Sequence, residues 1–266
     1  MTVVVVAKET FAHRAGFLRD LITMGGSSIR SIPRELDSVI PALVVPVFFY
    51  VVNVGALQVV AESGPVGDFK AFQLPVAIIF AVTGVSRAGI LVTDIQSGYL
   101  DRLLLTPMRR STLLLGMMVA DFVLMLALCI PVVILGFAVG VRFETGLLGV
   151  LMFFLLGALW GLAFTGFPYA IALKTGSPTA VNSAFILFFP FAFLTTTLLP
   201  LESLTGWMAA IARVNPVTYL LEGMRSLITE GWVAEDLLAA FASVFVVGLF
   251  TFALAIKTMT GRLARG

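Results

Sequence analysis

The chain has 266 residues, of which 59% are hydrophobic and 12% charged, with a formal net charge of +2 and a mean hydropathy of +1.06. An ordinary soluble domain carries about 25% charged residues, so a water-soluble enzyme or binding module is excluded and an all-α, polytopic membrane protein is expected. One cysteine (Cys129) and one histidine (His13) offer no intramolecular disulfide and no metal site, and the charge pattern marks no nucleic-acid surface.

Residues 1–38 are expected to form an N-terminal cytoplasmic region of interfacial helices. Phe11, Ala15, Leu18 and Ile22 share one helical face, with His13, Arg14 and Asp20 elsewhere around it. The run Gly25-Gly26-Ser27-Ser28 interrupts that face, and Ile29, Ile32 and Leu36 begin a second stripe. The remaining 39–266 read as a transmembrane domain of about six spans, near 39–60, 71–92, 112–140, 147–173, 179–199 and 237–257. Each is judged against the ~20 apolar residues needed to cross a bilayer. Six prolines fall inside these spans, where neighbouring helices can satisfy the carbonyls they free.

Orientation follows from the basic residues. Of the seventeen Lys and Arg, twelve fall on the side of the termini, four (Lys70, Arg142, Arg213, Arg225) on the other, and Arg87 within the second span. Positive charge prefers the cytoplasm, so both termini and the loop after the second span are expected inside.

That loop, 94–111, carries Asp94, Asp101, Arg102, Arg109 and Arg110 and cannot itself lie in lipid. Ile95, Tyr99 and Leu103 recur every four residues, the spacing of one face of a short helix. Thr106-Pro107 ends it, because proline drives its predecessor out of the helical region. Such a helix suits either contact with a soluble partner or simple anchoring of two spans. The segment 200–235 is too polar to span and reads as two short helices dipping in from, or lying on, the outer face. Asn215-Pro216 is a strong helix start, and Tyr219, Glu222 and Arg225 follow on that helix, the last two spaced to pair on an exposed face.

Arg87 and Asp121 are buried charges by position, and neither should face lipid. Two readings stand: they pair across the second and third spans, or they form a proton relay. Phe48, Phe49 and Asn53 in the first span, and Phe185, Phe188 and Phe189 in the fifth, could line a hydrophobic route or be plain packing.

Two stretches together resemble a known family. Asp94-Ile-Gln-Ser-Gly-Tyr-Leu-Asp-Arg-Leu-Leu-Leu-Thr-Pro-Met-Arg-Arg, followed by Leu113-Leu-Leu-Gly116, and the late Asn215-Pro-Val-Thr-Tyr-Leu-Leu-Glu-Gly-Met-Arg225 are similar to motifs of ABC-2-type ATP-binding-cassette exporter permeases of the daunorubicin-resistance kind. Asp94 departs from the pattern, standing where many members have glutamate. The resemblance implies a bacterial inner-membrane exporter subunit moving a lipophilic drug or lipid-like or lipid-linked substrate outward. It further implies an ATPase-coupling contact built by Asp94, Gly98, Asp101, Arg102, Leu103, Thr106 and Pro107, two copies of an ABC ATPase, and a second copy of this permease or a close homologue. The chain has no Gly-x-x-x-x-Gly-Lys-Ser/Thr loop, so no cofactor is expected on it, and ATP and Mg²⁺ belong to the partner. The competing reading is a self-contained proton-coupled secondary transporter, which lacks support from inverted repeats. An intramembrane enzyme would need a nucleophile with a base or a metal pair, and the chain presents neither.

Overall fold

The computed structural model describes residues 36–64, 66–99 and 110–263, together with Gly26 and Arg102. The expected N-terminal interfacial helices, and Asp101, Leu103, Thr106 and Pro107 of the coupling loop, lie outside the described residues. Nine α-helices are described: α1 (Leu36–Glu62), α2 (Phe69–Thr83), α3 (Ala88–Gln96), α4 (Arg110–Ala138), α5 (Gly146–Thr175), α6 (Pro178–Phe193), α7 (Gly206–Val214), α8 (Pro216–Thr229) and α9 (Ala234–Leu263). No strand occurs among the described residues. Five stretches are long and apolar enough to cross a membrane: Ile40–Glu62, Phe69–Gln96, Leu115–Ala138, Gly146–Thr175 and Ala234–Gly261.

The bundle has two ends that side-chain hydrogen bonds identify. At one, Gln96 Nε2 donates to Gly176 O at 3.0 Å. At the other, Lys70 Nζ donates to Val139 O and Thr145 Oγ1 to Leu227 O at 2.6 Å. These are called the Gln96 end and the Lys70 end below. Helix α5 runs through the middle, burying Phe153, Leu156, Trp160 and Tyr169. Helix α9 closes on it where Gly166 lies so near Thr251 that a Cβ would stand 2.7 Å from the Thr251 backbone. Small residues let helix backbones approach where no hydrophobic effect drives association.

Two expected spans come out differently. The second is not continuous: it breaks at 84–87 between α2 and α3. A break inside a membrane persists only where the freed backbone groups find partners. Here Ser86 Oγ accepts from Ala88 N at 3.2 Å, and Asp121 Oδ1 accepts from Arg87 N at 3.1 Å. The fifth was expected over 179–199, but α6 stops at Phe193. Its 16 residues rise about 24 Å, short of the ~30 Å hydrocarbon core. The six residues that follow are irregular, and three of them, Thr195, Thr196 and Thr197, are buried.

The loop helix after the second span also differs. α3 ends at Gln96, and Gly98 takes φ +68°, a left-handed conformation that glycine adopts without penalty. The chain turns there, and Arg102 N bonds to Gly98 O. Ile95 is therefore buried while Tyr99 is 51% exposed, so the two do not share one helical face as their spacing suggested.

Candidate functional site

Between α1, α2 and α6 lies a cavity of about 380 Å³. Its middle is aromatic: Phe49, Phe80, Phe185, Phe188 and Phe189 line it, and the Phe80 ring lies 5.4 to 5.8 Å from those of Phe188, Phe189 and Phe193. Along α1 the lining runs from Pro41 to Asn53, roughly 18 Å at 1.5 Å per residue, so the cavity is a slot. Thr83, Gly84 and Asn182 mark its end nearer Gln96, and Asn53, Gln73 and Thr197 the end nearer Lys70. Of the six residues that sequence placed on a hydrophobic route, Phe49, Asn53, Phe185, Phe188 and Phe189 meet here. Phe48 does not; it is 61% exposed. Tyr50 and Phe80 are among the lining residues not singled out from sequence, and the Tyr50 hydroxyl donates to Lys70 O at 3.2 Å.

A polar node backs the slot at its Gln96 end. Asp121 is buried and divides its two oxygens: Oδ1 takes the Arg87 backbone N–H, and Oδ2 takes the Tyr169 hydroxyl at 2.7 Å. Trp160 Nε1 donates to Thr83 Oγ1 at 3.1 Å. α4 and α5 thus grip the helix break whose residues Thr83 and Gly84 also line the slot. Tyr169 could not be singled out from sequence, since a tyrosine in an apolar run reads as packing.

At the Lys70 end, α7 and α8 supply what the short α6 lacks. Asn215 caps α8, accepting from Val217 N at 3.0 Å, with Pro216 at the first helical position. Its Nδ2 donates to Phe191 O and Leu194 O, carbonyls left open where α6 ends. Thr218 and Thr195 share a hydroxyl contact at 2.6 Å. Arg225 is buried, not exposed as expected, and does not serve Glu222. Its Nε donates to Phe72 O, Nη1 to Thr196 Oγ1 and Nη2 to Thr196 O at 2.7 Å, with the guanidinium 3.4 Å from the Phe72 ring centroid. Tyr219 donates to Arg213 O and stays outward.

Arg225 also faces a cleft of about 560 Å³ whose lining carries Asp68, Glu202, Glu222, Glu230 and Asp236. Burial holds the Glu222 carboxyl above its ordinary value, opposed by Arg225 and assisted by Asp236 and Glu202. Burial likewise pulls the Arg225 guanidinium down, opposed by Glu222. Three acceptors and a ring face keep it cationic at neutral pH.

A family model described as ABC-2 type transporter matches residues 14–229. The chain belongs to the ABC-2 type transporter family. Its relatives include the probable doxorubicin resistance ABC transporter permease DrrC of Mycobacterium tuberculosis, 28% identical over 209 residues that cover 77% of this chain and 75% of the relative. The daunorubicin resistance ABC transporter permease DrrB1 of Streptomyces coeruleorubidus is 28% identical over 192 residues, 66% of either chain. A putative transport permease, ycf38, of Cyanophora paradoxa is 28% identical over 166 residues, 60% of this chain and 56% of the relative. This ABC-2 chain is therefore a multi-pass transmembrane subunit of an ABC exporter.

Proposed function

We propose that this permease carries a lipophilic drug-like substrate out of a bacterial cytoplasm through the slot, powered by ATP and Mg²⁺ bound to a separate ABC ATPase. The observation that carries this reading is the convergence of five residues from two helices distant in sequence, α1 and α6, on one apolar cavity beside a broken helix. Helix α3 leads from Asp94 to that break, and Thr83 and Gly84 at the break are slot wall. A push on the Gln96 end, where Gly98 turns the chain toward the coupling segment, reaches the slot within three turns of helix. Asp94, Gly98 and Arg102, with Asp101, Leu103, Thr106 and Pro107, form the ATPase contact, and both termini lie on that cytoplasmic side.

A second copy of this chain, or a close homologue, completes the pathway with two ATPase copies. Helices α1 and α6 flank the slot and present Phe48 and Leu187 outward, each more than 60% exposed. The self-contained proton-coupled reading fares worse. A relay carboxylate must meet water on alternate sides, whereas Asp121 is 1% exposed with both oxygens engaged inside the bundle.

Efflux from cells tests the proposal. With a cognate ATPase co-expressed, cells should accumulate less of the uncharged lipophilic dye N-phenylnaphthylamine than cells whose ATPase cannot hydrolyse ATP. Equal accumulation in the two, with efflux abolished by a protonophore instead, would overturn it.

A further inference from the structure

The slot reads as a substrate site on the exporter proposal above, and its lining goes further, to the kind of substrate. Its volume of about 380 Å³ sits in the ~300–1,000 Å³ range of small-molecule sites. Among the described residues, not one Asp, Glu, Lys, Arg or His lines it. A charged ligand entering would leave water for an apolar wall with no countercharge, and that desolvation is uncompensated. The polar groups that are present sit at the two ends. Gln73 and Thr83 already have protein partners. Asn53 and Asn182 do not: neither side-chain amide makes a hydrogen bond among the described residues, although both line the slot. Asn53 is half-buried and Asn182 exposed, and each amide offers two donors and an acceptor to a ligand. The middle offers phenyl edges and faces, which pack flat rings better than they pack a charge.

We infer that the slot takes an uncharged, elongated aromatic amphipath, hydrogen-bonded at its ends by Asn53 and Asn182, and rejects permanent anions such as phosphate- or sulfonate-bearing lipids and dyes. Selection lies in the missing countercharge, with the aromatic wall setting shape. Lipid-linked phosphates fall outside it.

Two dyes with one ring system separate the ideas: N-phenylnaphthylamine, which is uncharged, and anilinonaphthalenesulfonate, its sulfonated counterpart. The chain carries three tryptophans. Trp207 and Trp232 are exposed, while Trp160 is buried, bonded to the slot residue Thr83 and 6.5 Å from the Phe188 ring. In a Trp207→Phe/Trp232→Phe background, in phosphatidylcholine nanodiscs without any ATPase, quenching of Trp160 reports occupancy of the slot. The uncharged dye should quench saturably and bind about tenfold or more tighter than the sulfonate. Asn53→Lys gives the slot a cation and should narrow or reverse that preference, a gain that a misfolded variant cannot produce. Phe189→Ala should weaken the uncharged dye with the melting temperature held. Equal affinity for the two dyes, no saturable quenching by the uncharged dye, or a preference untouched by Asn53→Lys would overturn the inference. The exporter reading stands or falls separately, on whether an ATPase associates and drives efflux.

Discussion

Arg225 makes the sharpest claim about stability. Its guanidinium joins three parts of the chain: α8, which carries it, the Phe72 carbonyl in α2, and Thr196 in the irregular stretch after α6. Replacement by methionine keeps much of the volume and removes every donor. A hydrogen bond from a charged donor contributes ~1.5–3 kcal/mol, and the ring contact with Phe72 adds about 1–2 kcal/mol when desolvated. The contributions do not simply add, so a loss of about 3–5 kcal/mol is expected, the range for breaking a buried charged contact. At roughly 2–4 °C per kcal/mol for a chain of this size, Arg225→Met should melt about 6–20 °C below wild type in detergent. Arg225→Lys keeps the charge but has no planar fork for three acceptors, and should fall between the two. Glu222→Gln, which touches none of these bonds, is the control and should stay within about 1 kcal/mol. If Arg225→Met melts no lower than Glu222→Gln, the anchor does not hold the end of α6 and the account of that end is wrong.

The node and the turn make further claims. Tyr169→Phe removes one donor from Asp121 and should cost about 1 kcal/mol, whereas Asp121→Leu strips the acceptor from Arg87 and Tyr169 together and should cost ~3–5 kcal/mol by unfolding in detergent. Equal losses would mean the carboxylate is not the centre of the node. At Gly98, φ is +68° with open space around an added Cβ, so only backbone strain discriminates. Gly98→Asn should keep its melting temperature and Gly98→Val should lose about 1–2 kcal/mol, and similar behaviour of the pair would argue against the left-handed turn. Glu222 sets a pH dependence. Because burial raises its carboxyl above the ordinary 4.5, the unfolded chain gives up that proton first as pH rises. Stability therefore falls from about pH 4.5 upward through the folded value. Glu222→Gln should lose less stability than wild type as the pH rises above about 4.5 in thermal melts, and parallel curves would contradict the upward shift.

Much of this was legible in the chain, and the exceptions share a cause. Hydropathy located the long helices because lipid forces every backbone group to pair within the span. Asn215-Pro216 announced the start of α8 because a cap and a proline act locally. Phe49, Phe185, Phe188 and Phe189 were legible as candidates because they are aromatic and lie within apolar runs, whereas Phe80, which also lines the slot, was not singled out. What sequence missed depends on partners far along the chain. The break at 84–87 is stabilised by Asp121, more than thirty residues away, so window hydropathy runs straight through it. Arg225 looked like a surface residue because its acceptors on Phe72 and Thr196, two backbone carbonyls and a hydroxyl, lie far along the chain and are not marked as open by sequence. The end of α6 at Phe193 followed the same logic, with Asn215 supplying the bonds that a longer helix would have made for itself. Gly98 was read as part of a continuous stripe because a single glycine is compatible with both a helix and a left-handed turn.

The central claim is that an external ATPase drives this chain through the segment beginning at Asp94. The most direct measurement is ATP turnover in proteoliposomes holding the permease and a candidate ABC ATPase, with wild type set against a Gly98→Trp/Asp101→Arg variant. The expected result is that wild type binds the ATPase and changes its turnover while the variant does neither. Transport that follows a proton gradient, with no ATPase bound to either form, would contradict it.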